Sequence, residues 1–218
     1  MSTGPSSTAA ITGNAAITTH SPPALGGGIY NDGGTLTLKS VTVSDNTAGT
    51  IGNSNGGGGG IYDIGGMLTL TDSTISGNTA GDFGGGGLSN GGNATLTNVT
   101  ISGNSAEGLG GGLFNEGPAT LTLTGVTVNG NMANQGGGIY NFGNASLINV
   151  TISDNMAADI GSGLLCAGRA TLTNVTVSGN SNEGIHGIDD GSMVQLTNTL
   201  AANNGGDNCA GLIFSSEP

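Results

Sequence analysis

Apolar and polar residues alternate with period two along short stretches of this chain, and the stretches recur. In Thr35-Leu36-Thr37-Leu38-Lys39-Ser40-Val41-Thr42-Val43-Ser44 the aliphatic side chains Leu36, Leu38, Val41 and Val43 share one side, while hydroxyl residues take most of the other. That is the signature of half-buried β-strands. The phase changes between Leu38 and Val41, so a bend is predicted two residues after Leu38. Aligned on the second Leu, the anchors are Leu38, Leu70, Leu96, Leu123, Leu147, Leu172 and Leu196, spaced 32, 26, 27, 24, 25 and 24 residues apart. Ser40, Asp72, Asn98, Gly125, Asn149, Asn174 and Asn198 occupy the predicted bend, and all are turn formers.

Eight residues after each anchor stands an Asn: Asn46, Asn78, Asn104, Asn131, Asn155, Asn180 and Asn204. The residue before it is always Asp, Gly or Asn, which tolerate the left-handed backbone, so a second corner is predicted there. The constant offset of eight and the variable remainder separate a rigid part of the unit from a loop that accepts insertions, as between Gly49 and Gly57. An earlier partial unit ends at Asn14, 32 residues before Asn46.

Preceded by a Gly-Gly-Gly-Ile strand, each unit becomes three short strands and three bends, too thin to bury a core alone. Stacked units bury it together. The prediction is an all-β, right-handed parallel β-helix of about seven coils, with like strands about 4.8 Å apart in a rod roughly 34 Å long. Its expected divisions are a partial coil and cap-like segment over 1–25, repeats over 26–204, and a further coil or tail over 205–218. The repeated Asn is predicted to form a structural ladder, each amide bonding the coils above and below.

Composition changes meaning in this light. Gly, Thr and Asn fill 98 of 218 positions (46, 27 and 25), which read alone suggests disorder; in register, they serve close approach, exposed strand surface and turns. No Gly-X-Y period makes the chain collagen-like. With two Lys or Arg against 14 acidic residues, the net charge of -12 excludes a phosphate backbone or an anionic membrane surface as partner.

The segments Gly26 to Ile29, Gly58 to Ile61, Gly85 to Leu88, Gly110 to Leu113 and Gly136 to Ile139 resemble the Gly-Gly-Ala-Ile motif of polymorphic outer membrane protein repeats. Val43 to Asn46 and Ile101 to Asn104 resemble that family's Phe-x-x-Asn motif, with an aliphatic residue in place of Phe. The resemblance covers residues 11 to about 204 and implies the pectate-lyase-like β-helix, a fold that carries lyases, hydrolases, adhesins and passenger domains alike. It implies a secreted or cell-surface location. Met1 to Pro5 lack a basic start and an apolar run, so no signal peptide is expected in this chain, and because it starts inside a repeat it reads as a piece of a longer secreted protein. No stretch approaches transmembrane length, and the segment from Ala15 to Leu25 is a candidate to fold over the first coil.

Catalytic chemistry has few residues to draw on. Lyases of the resembling fold use Arg or Lys beside acidic residues, and only one region assembles such types: Arg169 with His186, Asp189 and Asp190, the alternative catalytic site. Asp189-Asp190 is also the only weak candidate for calcium; no other metal or cofactor is expected. No Asp pair stands on adjacent rungs for glycosidase chemistry. Cys166 falls where other coils place Asn31, Asn90, Asn115 and Asn141, and is expected to be a buried free thiol, two rungs from Cys209 and unbridged to it.

Two surface columns remain. Thr37, Thr69, Thr95, Thr122 and Thr171, with Thr71, Thr97, Thr124 and Thr173, form an outward Thr array that resembles the ice-binding faces of β-helical antifreeze proteins. Thr is equally the favoured exposed strand residue. The second column, Tyr30, Tyr62, Ser89, Phe114, Tyr140 and Leu165, follows three glycines that give no alternation, so its direction stays open between core and an exposed, sugar-stacking stripe. The expected function is a non-catalytic structural, adhesin-like or passenger role, with a polysaccharide, another surface protein or a second copy of the rod as candidate partners. A carbohydrate-active enzyme and an ice binder are the alternatives.

Overall fold

The computed structural model describes residues 9–16, 26–49, 57–188, 191–211 and 213–215. It is a parallel β-solenoid with no helix among those residues. Seven successive coils each contribute one strand to three long sheets, and every pairing is between like strands of adjacent coils. The first complete coil shows the order: Ile29–Asp32, Thr35–Lys39, then Val41–Ser44. We name the three sheets the tyrosine, threonine and valine sheets after residues these strands carry. Ala9–Thr12 precedes the first coil on the valine sheet, while Cys209–Gly211 and Ile213–Ser215 extend the tyrosine and threonine sheets into an eighth.

Both predicted corners are present in every coil. Ser40, Asp72, Asn98, Asn149, Asn174 and Asn198 have φ between 46° and 56°, and Gly125 has 63°. At the second corner Asp45, Asp154 and Asn203 have φ of 56° to 57°, and Gly77, Gly103, Gly130 and Gly179 have 61° to 69°. A side chain with Cβ strains this left-handed conformation least when it is Asn or Asp, which is why the corners draw on so few residue types.

A fourth, short sheet joins the three expected. It contains Ala15–Ala16, Thr47–Ala48, Thr79–Ala80, Ser105–Ala106, Met132–Gln135 and Met156–Ile160. The backbone stays in stacking register past the ladder Asn because the Thr47 N–H donates to the Asn14 carbonyl and the Thr79 N–H to that of Asn46, each at 2.8 Å. Two-residue strands have too few positions to show alternation in sequence. The side chains that point in, Ala48, Ala80, Ala106, Ala133 and Ala157, are all buried.

The core is a set of aliphatic columns one residue thick. Leu68, Leu96, Val128 and Ile139 are fully covered, whereas their counterparts Ile29, Leu36, Leu38 and Leu196 in the end coils are only partly buried, so each coil is buried by its neighbours. The Gly-Gly-Gly runs are explained by contact. A Cβ on Gly112 would lie 2.6 Å from the Gly138 carbonyl oxygen and 3.0 Å from the Asn131 amide, and Gly60, Gly87 and Gly138 meet the equivalent atoms. Only glycine lets the next coil and the ladder amide approach this closely. Of the expected cap-like segment, Ala15 and Ala16 continue the short sheet, and 17–25 lie outside the described residues, as does most of the Gly49 to Gly57 insertion.

Candidate functional site

Side chains that point out of the rod are the candidates for recognition, and the threonine sheet presents the most regular set. Thr37, Thr69, Thr95, Thr122, Ser146, Thr171 and Gln195 stand in one register column. Lys39, Thr71, Thr97, Thr124, Ile148, Thr173 and Thr197 form the next. All are exposed or half-buried, whereas the Leu between them are buried from the second coil to the sixth. Hydroxyls therefore repeat every ~4.8 Å along the rod and about 6.6 Å across it.

Among the described residues of the alternative catalytic site, no hydrogen bond or ion pair joins Arg169 to His186. Arg169 opens its strand on the threonine sheet, exposed, with its guanidinium on the Met193 sulfur at 3.7 Å. His186 stands on the tyrosine sheet, beside Leu165 of the preceding coil. Its Nδ1 has no hydrogen bond and lies 3.8 Å from Glu183, which sequence reasoning did not include. Asp189 and Asp190 lie outside the described residues. No three His, Cys, Asp or Glu among the described residues are grouped to hold a metal.

The direction of the aromatic column is settled by its neighbours. In Ile61–Ile64, Ile61 and Asp63 are buried and Tyr62 lies between them, so the column points away from the central core; Tyr30 is exposed, whereas Tyr140 and Leu165 are themselves covered. They stack on one another, with ring centroids 5.8 Å apart for Tyr30 and Tyr62 and 5.5 Å for Phe114 and Tyr140. The third coil interrupts them with Ser89, and Glu116 reaches back from the fourth coil to fill the gap. Its Oε1 accepts a 3.0 Å bond from the Ser89 hydroxyl, and its carboxylate also bonds Tyr62. Burial, then the Glu116 charge, push the Tyr62 phenol up to about 12. Burial likewise raises Glu116, against the lowering effect of its two hydroxyl donors. Nothing in the repeat spacing indicates that a side chain spans two rungs here; the only signal is that Ser89 and Gly91 are both small.

The expected Asn ladder is present and longer than its seven members. The backbone N–H and the Nδ2 of Asn78 both donate to Asn104 Oδ1 at 2.9 Å, and Nδ2 also donates to the Val43 carbonyl at 3.0 Å. The same three bonds recur at Asn46, Asn104, Asn131, Asn155 and Asn180. Asn14 donates into the ladder's first end, and Asn208 accepts from Asn204 at the last.

A second buried ladder runs beneath the aromatic column. Asn90 Nδ2 donates to Asn115 Oδ1 at 2.7 Å, Asn115 to Asn141 at 2.8 Å, and Asn141 to the Cys166 sulfur at 3.5 Å. Cys166 is buried and Cys209 exposed, and neither is in a disulfide. Burial raises the Cys166 thiol, which donates to the Gly168 carbonyl at 3.4 Å. In this ladder the second coil has Asp63 where the first, third, fourth and fifth have Asn31, Asn90, Asn115 and Asn141. Asp63 Oδ1 accepts from Asn31, but its buried Oδ2 has no partner, and burial pushes the carboxyl above its ordinary value. A protonated Asp63 is the nearest mimic of the Asn it replaces, because the proton supplies the donor that a carboxylate lacks.

Among known proteins, the Chlamydia polymorphic membrane protein (Chlamydia_PMP) repeat matches residues 98–116. That span holds the corner at Asn98, the ladder residue Asn104, and the Gly-rich entry to Leu113–Asn115, so it covers most of one coil without its threonine-sheet strand. No curated protein and no solved structure matches the chain.

Proposed function

We propose that this chain is the rod of a surface-exposed, non-catalytic β-helical protein with a structural, adhesin-like or passenger role. The observation that carries this reading is where the polar groups go. Buried amides bond coil to coil in two ladders, and the outward hydroxyls repeat the same pattern from rung to rung. Such a surface offers a long, uniform contact face and no focused reaction centre. The polymorphic membrane protein repeat within residues 98–116 supports the surface location. Candidate partners remain a polysaccharide, another surface protein or a second rod.

Two measurements test the reading. Antibody against the chain should label intact cells of its host without permeabilisation; labelling only after lysis would overturn the location. Incubation with pectate, alginate and neutral glycans should release no new ends, whereas turnover abolished by Arg169→Ala would transfer support to the carbohydrate-active alternative at Arg169, His186, Asp189 and Asp190.

A second reading has its own observation, the in-register columns of Thr69, Thr95 and Thr122 and of Thr71, Thr97 and Thr124. A flat, nearly uncharged hydroxyl lattice is suited to ordering water at an ice surface. Thermal hysteresis that disappears in Thr97→Tyr and Thr122→Tyr would support ice binding, and hysteresis absent from the unmodified protein would remove it.

A further inference from the structure

The short sheet carries a feature that the repeat does not require. On its outward side Thr47, Thr79 and Ser105 stand in one column, and the next two coils replace these hydroxyls with Met132 and Met156. Both methionines are about half exposed, at 49% and 52%. Here the surface forms a groove of about 520 Å³, lined by the two methionines, the exposed Ala158 and Asn134, Ser105, and by Ala106, Ala133 and Ala157, whose methyls point into the rod. Asp82 and Glu107 also line it. The following residue, Phe83, is 63% exposed.

Each part of this lining selects against some occupants. The unbranched, polarisable methionines present the apolar surface of the groove and adapt their shape to an apolar side chain. The acidic rim repels anions. No compensating Lys or Arg belongs to this sheet, because the chain's two, Lys39 and Arg169, both stand on the threonine sheet. The volume suits a few side chains rather than a whole protein surface.

We propose that this groove binds a basic amphipathic peptide segment, with apolar side chains lying against Met132, Met156 and Ala158, and Lys or Arg side chains directed to Asp82 and Glu107. Adaptable methionines with complementary charge give a docking site that accepts related sequences rather than one. The site is separate from the threonine sheet and does not depend on the chain's cellular location.

The test is calorimetric titration with a synthetic amphipathic helical peptide of Leu and Lys, and with a control in which Ser replaces every Leu. The first should bind and the control should not. Met132→Gln with Met156→Gln, and separately Asp82→Asn with Glu107→Gln, should each weaken binding about tenfold or more, a loss in the range expected for contacts at the centre of a docking site. Asp45→Asn with Asp154→Asn removes two charges at distant corners and should leave affinity nearly unchanged. All the substituted side chains are at the surface, and circular dichroism checks that each variant keeps its strands. Equal loss in the corner pair and the rim pair would reduce the effect to general attraction by an acidic rod and overturn the proposal. So would full binding by the methionine variant, or no binding of the Leu and Lys peptide.

Discussion

Replacing Asp63 by Asn isolates the electrostatics of the second ladder in a single atom. Asp63 is buried, accepts one bond from Asn31, and leaves Oδ2 without a partner, while Asn90, Asn115 and Asn141 in the same column donate through Nδ2. An amide supplies the missing donor without a proton and changes the volume little. Leaving a buried polar atom unsatisfied costs about 1–3 kcal/mol, so Asp63→Asn should stabilise the protein by about that amount at pH 7. For a chain of this size each kcal/mol moves the thermal midpoint by roughly 2–4 °C. The pH dependence has a definite sign. Burial raises the carboxyl of Asp63 in the folded protein, so the native state holds this proton more tightly than the unfolded chain does. The associated stability is fully present below the ordinary carboxylate range and is lost as pH rises through the raised value. The advantage of Asp63→Asn should therefore be largest at neutral pH and shrink toward acid. Urea unfolding of both proteins at several pH values measures it, and carboxylates common to both, Glu116 included, cancel in the difference. A variant less stable than the parent at pH 7, or an advantage that grows toward acid, would refute the reasoning.

Asn104→Ala leaves the backbone N–H and Nδ2 of Asn78 without their shared acceptor, and should cost about 2–6 kcal/mol at one to three for each of the two groups, measured by urea unfolding. Gly130→Ala and Gly111→Ala should separate strain from space. The first has φ of 62° with nothing near the added methyl, and should cost about 1–2 kcal/mol; the second would press Cβ into the Gly137 and Met132 carbonyls and should cost roughly 3 kcal/mol or more. Equal thermal shifts would contradict the close-approach account of the Gly runs. Ultraviolet titration of the three tyrosines should find one phenol near 12, and Glu116→Gln should bring it down while burial keeps it above the ordinary value. A titration unchanged by Glu116→Gln would remove the assigned contact between the two side chains.

Much of the architecture was legible because a solenoid repeats its local rules. The alternation of Leu36, Leu38, Val41 and Val43, the bends at Ser40 and Asp45, and the Asn eight residues after each anchor are short-range signals read seven times over. Local sterics decide the left-handed corners, and stacking register then makes every constant offset a column. The short sheet escaped because two residues cannot display a period. The direction of the Tyr30 to Tyr140 column was hidden by glycines that have no side chain to alternate.

The candidate sites were less legible, since sites here are made between coils and not within them. Arg169 and His186 are 17 residues apart in sequence yet occupy different sheets. Glu116 finds Ser89 across 27 residues because the third coil leaves a gap beside it. Asp63 falls in a column of Asn by simple alignment, but its missing partner depends on how fully the neighbouring coils bury it. By itself the sequence determined the coil, its corners, the inward columns and the first ladder, because each follows from backbone preference and periodicity. Only the tertiary structure decided which polar atoms are left without partners and where methionines and alanines meet an acidic rim, because burial and proximity depend on how neighbouring coils and their loops pack in three dimensions.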